Sequence, residues 1–215
     1  MRLPRVYPIL DTGSIEARGF LLTRAAAALL EGGAGILQLR HKQHWGRAVF
    51  DAAREIARMC REAGALFIVD DRADIAMLLE AGLHVGQDDL PPRDARRLLG
   101  SDAAIGFSSH NMQQVCAAGG EPVDYVAFGP VFATASKRNP DPVTGIEALK
   151  ECRSLVEKPL VAIGGITRET AGAVLAAGAD SVAAIGDLLP AELTSISLRQ
   201  RMEEWQRLVT KQKQA

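Results

Sequence analysis

The chain has 215 residues, of which 47% are hydrophobic, and its 25 basic and 26 acidic residues nearly cancel. This length suits one domain with a sizeable core, and the near-zero net charge gives no field that would attract nucleic acid or an anionic membrane. Because the N-terminal apolar run is too short for a secretory signal and nowhere do eighteen apolar residues run together, we expect a cytoplasmic protein.

Eight short apolar stretches recur along the chain, and each ends in glycine or polar residues. They are Val6–Leu10, Gly35–Arg40, Leu66–Asp70, Leu83–Gly86, Ala104–Ser108, Tyr125–Gly129, Leu160–Gly164 and Ser181–Gly186. Between them lie segments with helical spacing of apolar residues, such as Ser14–Glu31, Arg47–Glu62, Arg72–Leu79, Pro92–Leu99 and Arg168–Ala177. This alternation predicts βαβ units and a parallel sheet. Eight units favour an α/β fold with a closed (β/α)₈ TIM barrel, in a single domain over residues 1–215.

The second stretch ends in two cations, Arg40 and Lys42. In such a barrel the chemistry lies at the C-terminal ends of the strands. Side chains two apart on an extended segment point the same way, so both cations can face one ligand. A pyrophosphate suits such a pair, and the alternative is a pair of solvated loop charges.

Carboxylates follow the third and fourth stretches. Asp71 comes directly after one strand end and Asp89 lies in the Gly-Gln-Asp-Asp segment after the next. Mg²⁺ is usually held by one or two carboxylates together with water and substrate phosphates, so both residues are candidate metal ligands. The alternative is that each caps the helix that follows it, because Asp is a favoured N-cap.

Hydroxyl, imidazole and cationic groups follow the fifth and sixth stretches. Ser108 or Ser109 can donate to a phosphate or cap a helix, and His110 can act as a proton shuttle or make a structural hydrogen bond. The long polar loop 130–140 carries two hydroxyls and two cations. A loop of this length in a compact barrel is usually functional or disordered, and we expect it to cover an anion.

Glycines close the seventh and eighth stretches, at Gly164, Gly165 and Gly186. Backbone amides exposed by glycine near a helix start bind phosphate, and such sites are common after strands seven and eight of these barrels. We therefore predict a phosphate site there, in preference to a purely conformational role for the glycines.

The three cysteines and the C-terminal segment are expected to be structural. Cys60, Cys116 and Cys152 are odd in number and widely spaced, which argues against disulfides or a zinc site and predicts inert packing residues. The segment Leu198–Gln214 is an amphipathic pattern that should pack on the barrel as its last helix. The sequence leaves open a monomer or a homodimer.

Seven motifs then give the chain a family resemblance. They are LQLRHK, IVDDRADIA, LHVGQDDLP, IGFSSHN, DYVAFGPVFATASK, VAIGGIT and AGADSVAAIG. In this order and spacing they make the chain similar to the thiamine phosphate synthases along nearly its whole length. The resemblance implies a (β/α)₈ barrel that joins hydroxymethylpyrimidine pyrophosphate to hydroxyethylthiazole phosphate, giving thiamine phosphate and pyrophosphate with Mg²⁺ as cofactor.

The resemblance also implies roles for individual residues. The cations that hold the pyrophosphate are Arg40, Lys42 and Lys137. The carboxylates that bind the bridging Mg²⁺ are Asp71 and Asp89. The hydroxyls that donate to the leaving group or the phosphate are Ser108, Thr134 and Ser136. The thiazole phosphate site comprises Gly165, Ile185 and Gly186, and the residue near the pyrimidine is Gln38. The expected catalytic residues are Arg40, Lys42, Lys137 and Ser108.

The chain departs from the family pattern at three of these positions. Asp70 stands where the family usually has Asn, which puts an extra carboxylate beside the metal and the substrate; it would repel the substrate unless it is protonated or binds the metal. Gly186 stands where serine is common, so a hydroxyl is lost while the amide remains. Ser136 replaces a threonine, which should matter little.

Two other functions stay open at this point. A thiazole tautomerase has the same barrel and phosphate site and needs a histidine at the position of His110, which this chain has. Asp89 and Lys137 favour the synthase, because the tautomerase holds no pyrophosphate or magnesium. A non-catalytic protein that binds thiamine precursors is the third hypothesis, and Asp70 is its only support.

Overall fold

The computed structural model describes residues 1–134 and 141–211 of the chain. Eight parallel strands pair in chain order, and the first strand pairs with the last, which closes a barrel. The strands are β1 Val6–Asp11, β2 Ile36–Arg40, β3 Leu66–Asp70, β4 Gly82–Val85, β5 Ile105–Ser109, β6 Tyr125–Phe128, β7 Leu160–Ala162 and β8 Ser181–Ala184. The predicted (β/α)₈ fold is confirmed.

Helices connect successive strands and surround the barrel. They are α1 Thr12–Glu16, α2 Leu22–Glu31, α3 Arg47–Glu62, α4 Ala73–Leu79, α5 Pro92–Leu99, α6 Met112–Gly119, α7 Gly145–Leu155, α8 Ala171–Ala176 and α9 Ser195–Lys211. A short 3₁₀ helix, Gly186–Leu188, follows β8. Within the described ranges, every helix is too short or too polar to cross a membrane.

Two predicted helical segments are shorter or more broken than expected. The segment Ser14–Glu31 forms two helices, α1 and α2, because Gly19 between them has a φ of 65° that a right-handed helix does not continue. The segment Arg168–Ala177 is helical only over Ala171–Ala176. Its first residues form a turn in which the Thr170 hydroxyl accepts the Thr167 backbone N–H at 2.9 Å, so the predicted start was wrong.

Alternate strand residues point into the barrel or toward the helices, as period-two geometry requires. Buried inward residues form one cluster, which includes Tyr7, Ile9, Ile36, Ile68, Tyr125, Ala127, Val161 and Ala183. The outward residues pack with the helices in a second, larger cluster. The inward rows end in polar side chains at one rim of the barrel, where β1 and β2 pair Asp11 with Arg40 and β3 and β4 pair Asp70 with His84.

The predictions for the last helix and the cysteines have mixed outcomes. α9 buries Leu198, Met202 and Trp205 completely, so the predicted apolar stripe packs on the barrel. The cysteines are all free, and Cys60 and Cys152 are buried. Cys116 is exposed on α6, so the prediction of a packing role was wrong for this residue.

Candidate active site

A cavity of about 860 Å³ opens at the rim where the strands end. Every site residue that the family resemblance implies and that the structure describes lines it: Gln38, Arg40, Lys42, Asp70, Asp71, Asp89, Ser108, Thr134, Gly165, Ile185 and Gly186. Ser136 and Lys137 lie outside the described residues. The volume falls within the usual range for pockets that enclose small molecules.

The two cations at the end of β2 and just after it are paired with carboxylates in the cavity. Arg40 Nη1 donates to Asp11 Oδ2 at 2.5 Å, and Arg40 Nε lies 3.8 Å from Asp70 Oδ2. Lys42 Nζ lies 2.8 Å from the same Asp70 oxygen and also donates to Asp71. Only 16% of the Arg40 side chain is exposed, so the alternative of a solvated loop charge was wrong for Arg40, whereas the Lys42 side chain is 43% exposed. The result is a row of alternating charges, Asp11–Arg40–Asp70–Lys42–Asp71, which we call the charge row.

The candidate metal ligands do not cap the following helices. α4 begins after Arg72 and α5 after Pro91, and neither helix has a side-chain cap, so the capping alternative was wrong for both Asp71 and Asp89. Asp71 has a φ of 63°, in the left-handed region that only short polar residues tolerate at modest cost. The Asp89 carboxylate accepts the Gly86 backbone N–H at 2.6 Å, which turns it back toward Asp71.

The crowded carboxylates have shifted pKa values. Burial, reinforced by the charge of Asp71 and opposed by Lys42, raises the pKa of Asp70 to about 6. Burial and the nearby Asp71 also raise the pKa of Asp89, against the Gly86 hydrogen bond. Burial opposes ionisation of Asp11, but hydrogen bonds from Ser14 and Arg40 outweigh it and lower the pKa. Burial likewise disfavours the Lys42 ammonium, yet its carboxylate partners hold the pKa above the usual value.

The residues fit a magnesium ion at the Asp71–Asp89 pair. The two carboxylates interact directly, so one hard cation can contact both. In the described ranges, no group of three or more His, Cys, Asp and Glu side chains has the arrangement of a metal site. Mg²⁺ takes one or two carboxylates and completes its shell with water and phosphate oxygens.

A chain of hydrogen bonds crosses the barrel beneath the charge row. Gln38 Nε2 donates to Tyr7 Oη at 3.1 Å, and the Tyr7 and Tyr125 hydroxyls are 2.7 Å apart. His84 Nδ1 lies 3.1 Å from Tyr125 Oη, and His84 Nε2 lies 2.8 Å from Ser108 Oγ. Burial raises the pKa of both tyrosines, so they stay neutral. The chain fixes the orientation of Gln38 at one end and of Ser108 at the other.

The positions of Ser108, Ser109 and His110 in the structure decide between roles that the sequence leaves open. Ser108 points inward to the cavity and His84, whereas Ser109 is buried outside the cavity lining. His110 Nδ1 bonds the Gly129 carbonyl at 2.7 Å and lies 3.5 Å from Asp141 Oδ2, so the imidazole joins both ends of the loop after β6. Of the two roles predicted for His110, the structural hydrogen bond is present.

The glycines after β7 and β8 differ in whether the structure has room for a side chain. Gly165 has a φ of 62°, and a Cβ there would lie 2.3 Å from the Ala133 carbonyl oxygen, so only glycine fits. A Cβ at Gly186 would meet no atom within 4 Å. Gly186 opens the 3₁₀ helix Gly186–Leu188, and the first amides of a helix have no partner within it. The two loops line the same cavity as Arg40 and Lys42 and can present amides to a phosphate.

Sequence reasoning missed four residues of this site: Asp11, Tyr7, His84 and Tyr125. Asp11 is the rim residue of β1 and faces Arg40 in the strand pairing. His84 lies two residues before Gly86, so period two places it on the inward face. The sequence signal for these residues is the alternation of inward-facing side chains along the whole of each strand, because the polar residues that follow the strands mark only part of the site.

A closed (β/α)₈ barrel whose mouth carries cations, carboxylates and glycine loops is typical of the class of enzymes that bind phosphorylated substrates. Residues 6–188 match the family model described as Thiamine monophosphate synthase. The chain belongs to this family, and with it to the transferases.

Individual relatives agree with the family assignment. The chain is 46% identical over 208 residues to a thiamine-phosphate synthase of Koribacter versatilis, with 95% of each chain covered. It is 41% identical over 190 residues to one of Laribacter hongkongensis, covering 86% of this chain and 88% of the relative. A solved thiamine phosphate pyrophosphorylase from Pyrococcus furiosus superposes with a TM-score of 0.84 at 29% identity, covering 97% of this chain and 96% of the other.

Proposed function

We propose that the chain joins hydroxymethylpyrimidine pyrophosphate to hydroxyethylthiazole phosphate and releases pyrophosphate, forming thiamine phosphate in a Mg²⁺-dependent reaction. The observation that carries the proposal is that one cavity is lined both by the charged groups Arg40, Lys42, Asp70, Asp71 and Asp89 and by the Gly165 and Gly186 loops. Two anionic substrates can therefore bind side by side. The names of the relatives support this function and favour neither the tautomerase nor the non-catalytic binder.

The two cations of the charge row would bind the pyrophosphate. Arg40 and Lys42 already face the cavity, and a pyrophosphate that replaces the carboxylates around Lys42 would free Asp71. Asp71 and Asp89 would then hold Mg²⁺, which supplies positive charge to the leaving oxygens. Lys137, outside the described residues, is proposed as a third cation for the same group.

The reaction needs charge neutralisation more than a base. The bond between the pyrimidine methylene carbon and the pyrophosphate oxygen breaks, and its electron pair leaves with the oxygen. The thiazole nitrogen then donates its lone pair to the methylene carbon, so no proton has to be removed from the nucleophile. Arg40 and Lys42 stabilise the negative charge that develops on the leaving group.

Ser108 and Gln38 orient the other partners in this scheme. Ser108 donates to the leaving group while His84 Nε2 holds its Oγ at 2.8 Å. Gln38 lies near the pyrimidine with its amide fixed by Tyr7, and Thr134 and Ser136 donate to phosphate oxygens. Gly165, Ile185 and Gly186 bind the thiazole phosphate through backbone amides. The proposal includes a cytoplasmic location and small-molecule partners, without nucleic acid or membrane, and leaves homodimer formation to direct measurement.

The test combines the purified protein with both substrates and follows thiamine phosphate by fluorescence after oxidation, with and without Mg²⁺. We expect product only with the metal, and a loss of at least about a hundredfold in kcat/KM for Asp89→Asn because a metal ligand is removed. Asp94→Asn is the matched control, since Asp94 is an exposed carboxylate on the next helix. A folded protein that forms no product with Mg²⁺ would overturn the proposal.

A further inference from the structure

An ion-pair ring joins the two glycine loops behind the proposed thiazole phosphate site. Asp187 Oδ2 accepts from Arg168 Nε at 2.9 Å and lies 3.4 Å from the Arg168 backbone nitrogen. Arg168 Nη1 also donates to Glu204 on α9. Arg201 completes the ring, with Nε 3.2 Å from Glu204 Oε2 and Nη1 2.6 Å from the Asp187 carbonyl oxygen.

The ring places a carboxylate next to a site that should bind a dianion. Asp187 directly follows Gly186, and both line the cavity. Its side chain is only 16% exposed, so water screens the charge poorly. An ionised Asp187 on its own would therefore repel a phosphate bound at the neighbouring amides.

Arg168 is placed to cancel that repulsion. It directly follows Thr167, in the loop that carries Gly165, and its guanidinium pairs with Asp187 across the two loops. The same contact fixes the spacing of the loops, because one arginine bonds both the Asp187 carboxylate and α9.

We propose that Arg168 is a positioning residue for the thiazole phosphate, which holds the Gly165 and Gly186 loops together and neutralises Asp187 so that the site accepts an anion. The inference rests on the proposed function for the identity of the phosphate ligand. An ionised Asp187 alone would weaken phosphate binding, and Arg168 removes this effect. Changing the two residues one at a time should therefore have unequal effects on the affinity for the phosphate.

The variants Arg168→Gln, Asp187→Asn and the double variant separate this role from a merely structural one. We expect Arg168→Gln to raise the KM for the thiazole phosphate by on the order of tenfold, with little change in the KM for the pyrimidine substrate. Asp187→Asn alone should change it by less than about threefold, and the double variant should recover most of the loss, because no unpaired carboxylate remains. High salt should reduce the defect of Arg168→Gln.

Binding measured without turnover keeps this inference separate from the proposed reaction. Calorimetric titration with hydroxyethylthiazole phosphate, and with inorganic phosphate, should show the same order of affinities in the three variants. Arg54→Gln is the control, because it removes an exposed arginine from an ion pair on α3. Equal losses in both single variants, or a double variant no better than Arg168→Gln, would overturn the role of Arg168. Normal phosphate binding without product would instead count against the synthase reaction alone.

Discussion

The extra carboxylate at Asp70 should make the metal-free protein less stable as the pH rises. Asp70 is 6% exposed, and its pKa rises from 3.8 to about 6 in the folded protein, first because of burial and then because of the Asp71 charge. Between these two values the unfolded chain loses the proton while the folded chain retains it. The contribution of Asp70 to folding stability is therefore fully present below pH 3.8 and is lost as the pH rises to about 6, where the folded carboxyl ionises.

The size of the effect follows from the two pKa values. A tenfold change in an ionisation equilibrium corresponds to about 1.4 kcal/mol, so the full effect of Asp70 ionisation is about 3 kcal/mol at pH 8 and about half of that at pH 5. Asp70→Asn keeps the shape of the side chain without the charge. We expect this variant to be more stable than the unchanged protein at pH 8, with a smaller difference at pH 5.

Urea unfolding of both proteins at the two pH values, in buffer with a chelator, measures the difference. Asp74→Asn is the control, because Asp74 lies nearby on α4 with its side chain 56% exposed, and it should change stability by less than about 0.5 kcal/mol at either pH. If the free energies of unfolding of Asp70→Asn and the unchanged protein depend on pH in the same way, the inference that Asp70 is a buried carboxyl with a raised pKa is refuted.

Three further substitutions test other parts of the site. Gly186→Ser places a hydroxyl where a Cβ meets no atom, so we expect a fold with unchanged melting temperature and a KM for thiazole phosphate that falls a few-fold. Gly165→Ala should instead lower both activity and melting temperature, since its Cβ would clash with the Ala133 carbonyl oxygen at 2.3 Å. Gly106→Ala puts a Cβ 2.0 Å from the Tyr125 ring, and urea unfolding should show a loss of about 1–3 kcal/mol; unchanged stability would contradict the tight packing inside the barrel.

The barrel was predictable because each strand carries a local signal. Short apolar runs and helical patterns alternate along the sequence, and the period of each identifies its element without long-range information. The break at Gly19 was missed because a single glycine inside an alanine-rich segment does not show whether its φ is positive. The late start of α8 was missed because the Thr170–Thr167 hydrogen bond competes locally with helix formation.

The site was predictable only at strand ends, where residue type and position coincide. Arg40 and Lys42 stand out because they are two cations at the end of an apolar run. Asp11 is a lone carboxylate after its run, and a lone carboxylate does not indicate a binding site. Its role emerges only from the pairing of β1 with β2, which sets it beside Arg40. The same holds for His84 on β4 and Tyr125 on β6, which meet over Gly106 of the strand between them and form a contact that no local pattern contains.

The charge balance of the site explains why the proposed reaction needs a metal ion. Among the described residues that line this side of the cavity, four carboxylates, Asp70, Asp71, Asp88 and Asp89, face two cations, Arg40 and Lys42. With all four carboxylates ionised, this side of the cavity is negative and repels a pyrophosphate. The raised pKa of Asp70 removes part of that charge at low pH, and a divalent cation between Asp71 and Asp89 would remove it at neutral pH. Under the proposed function, Asp70 would increase the dependence of the reaction on the metal, because an asparagine there would leave less negative charge to offset.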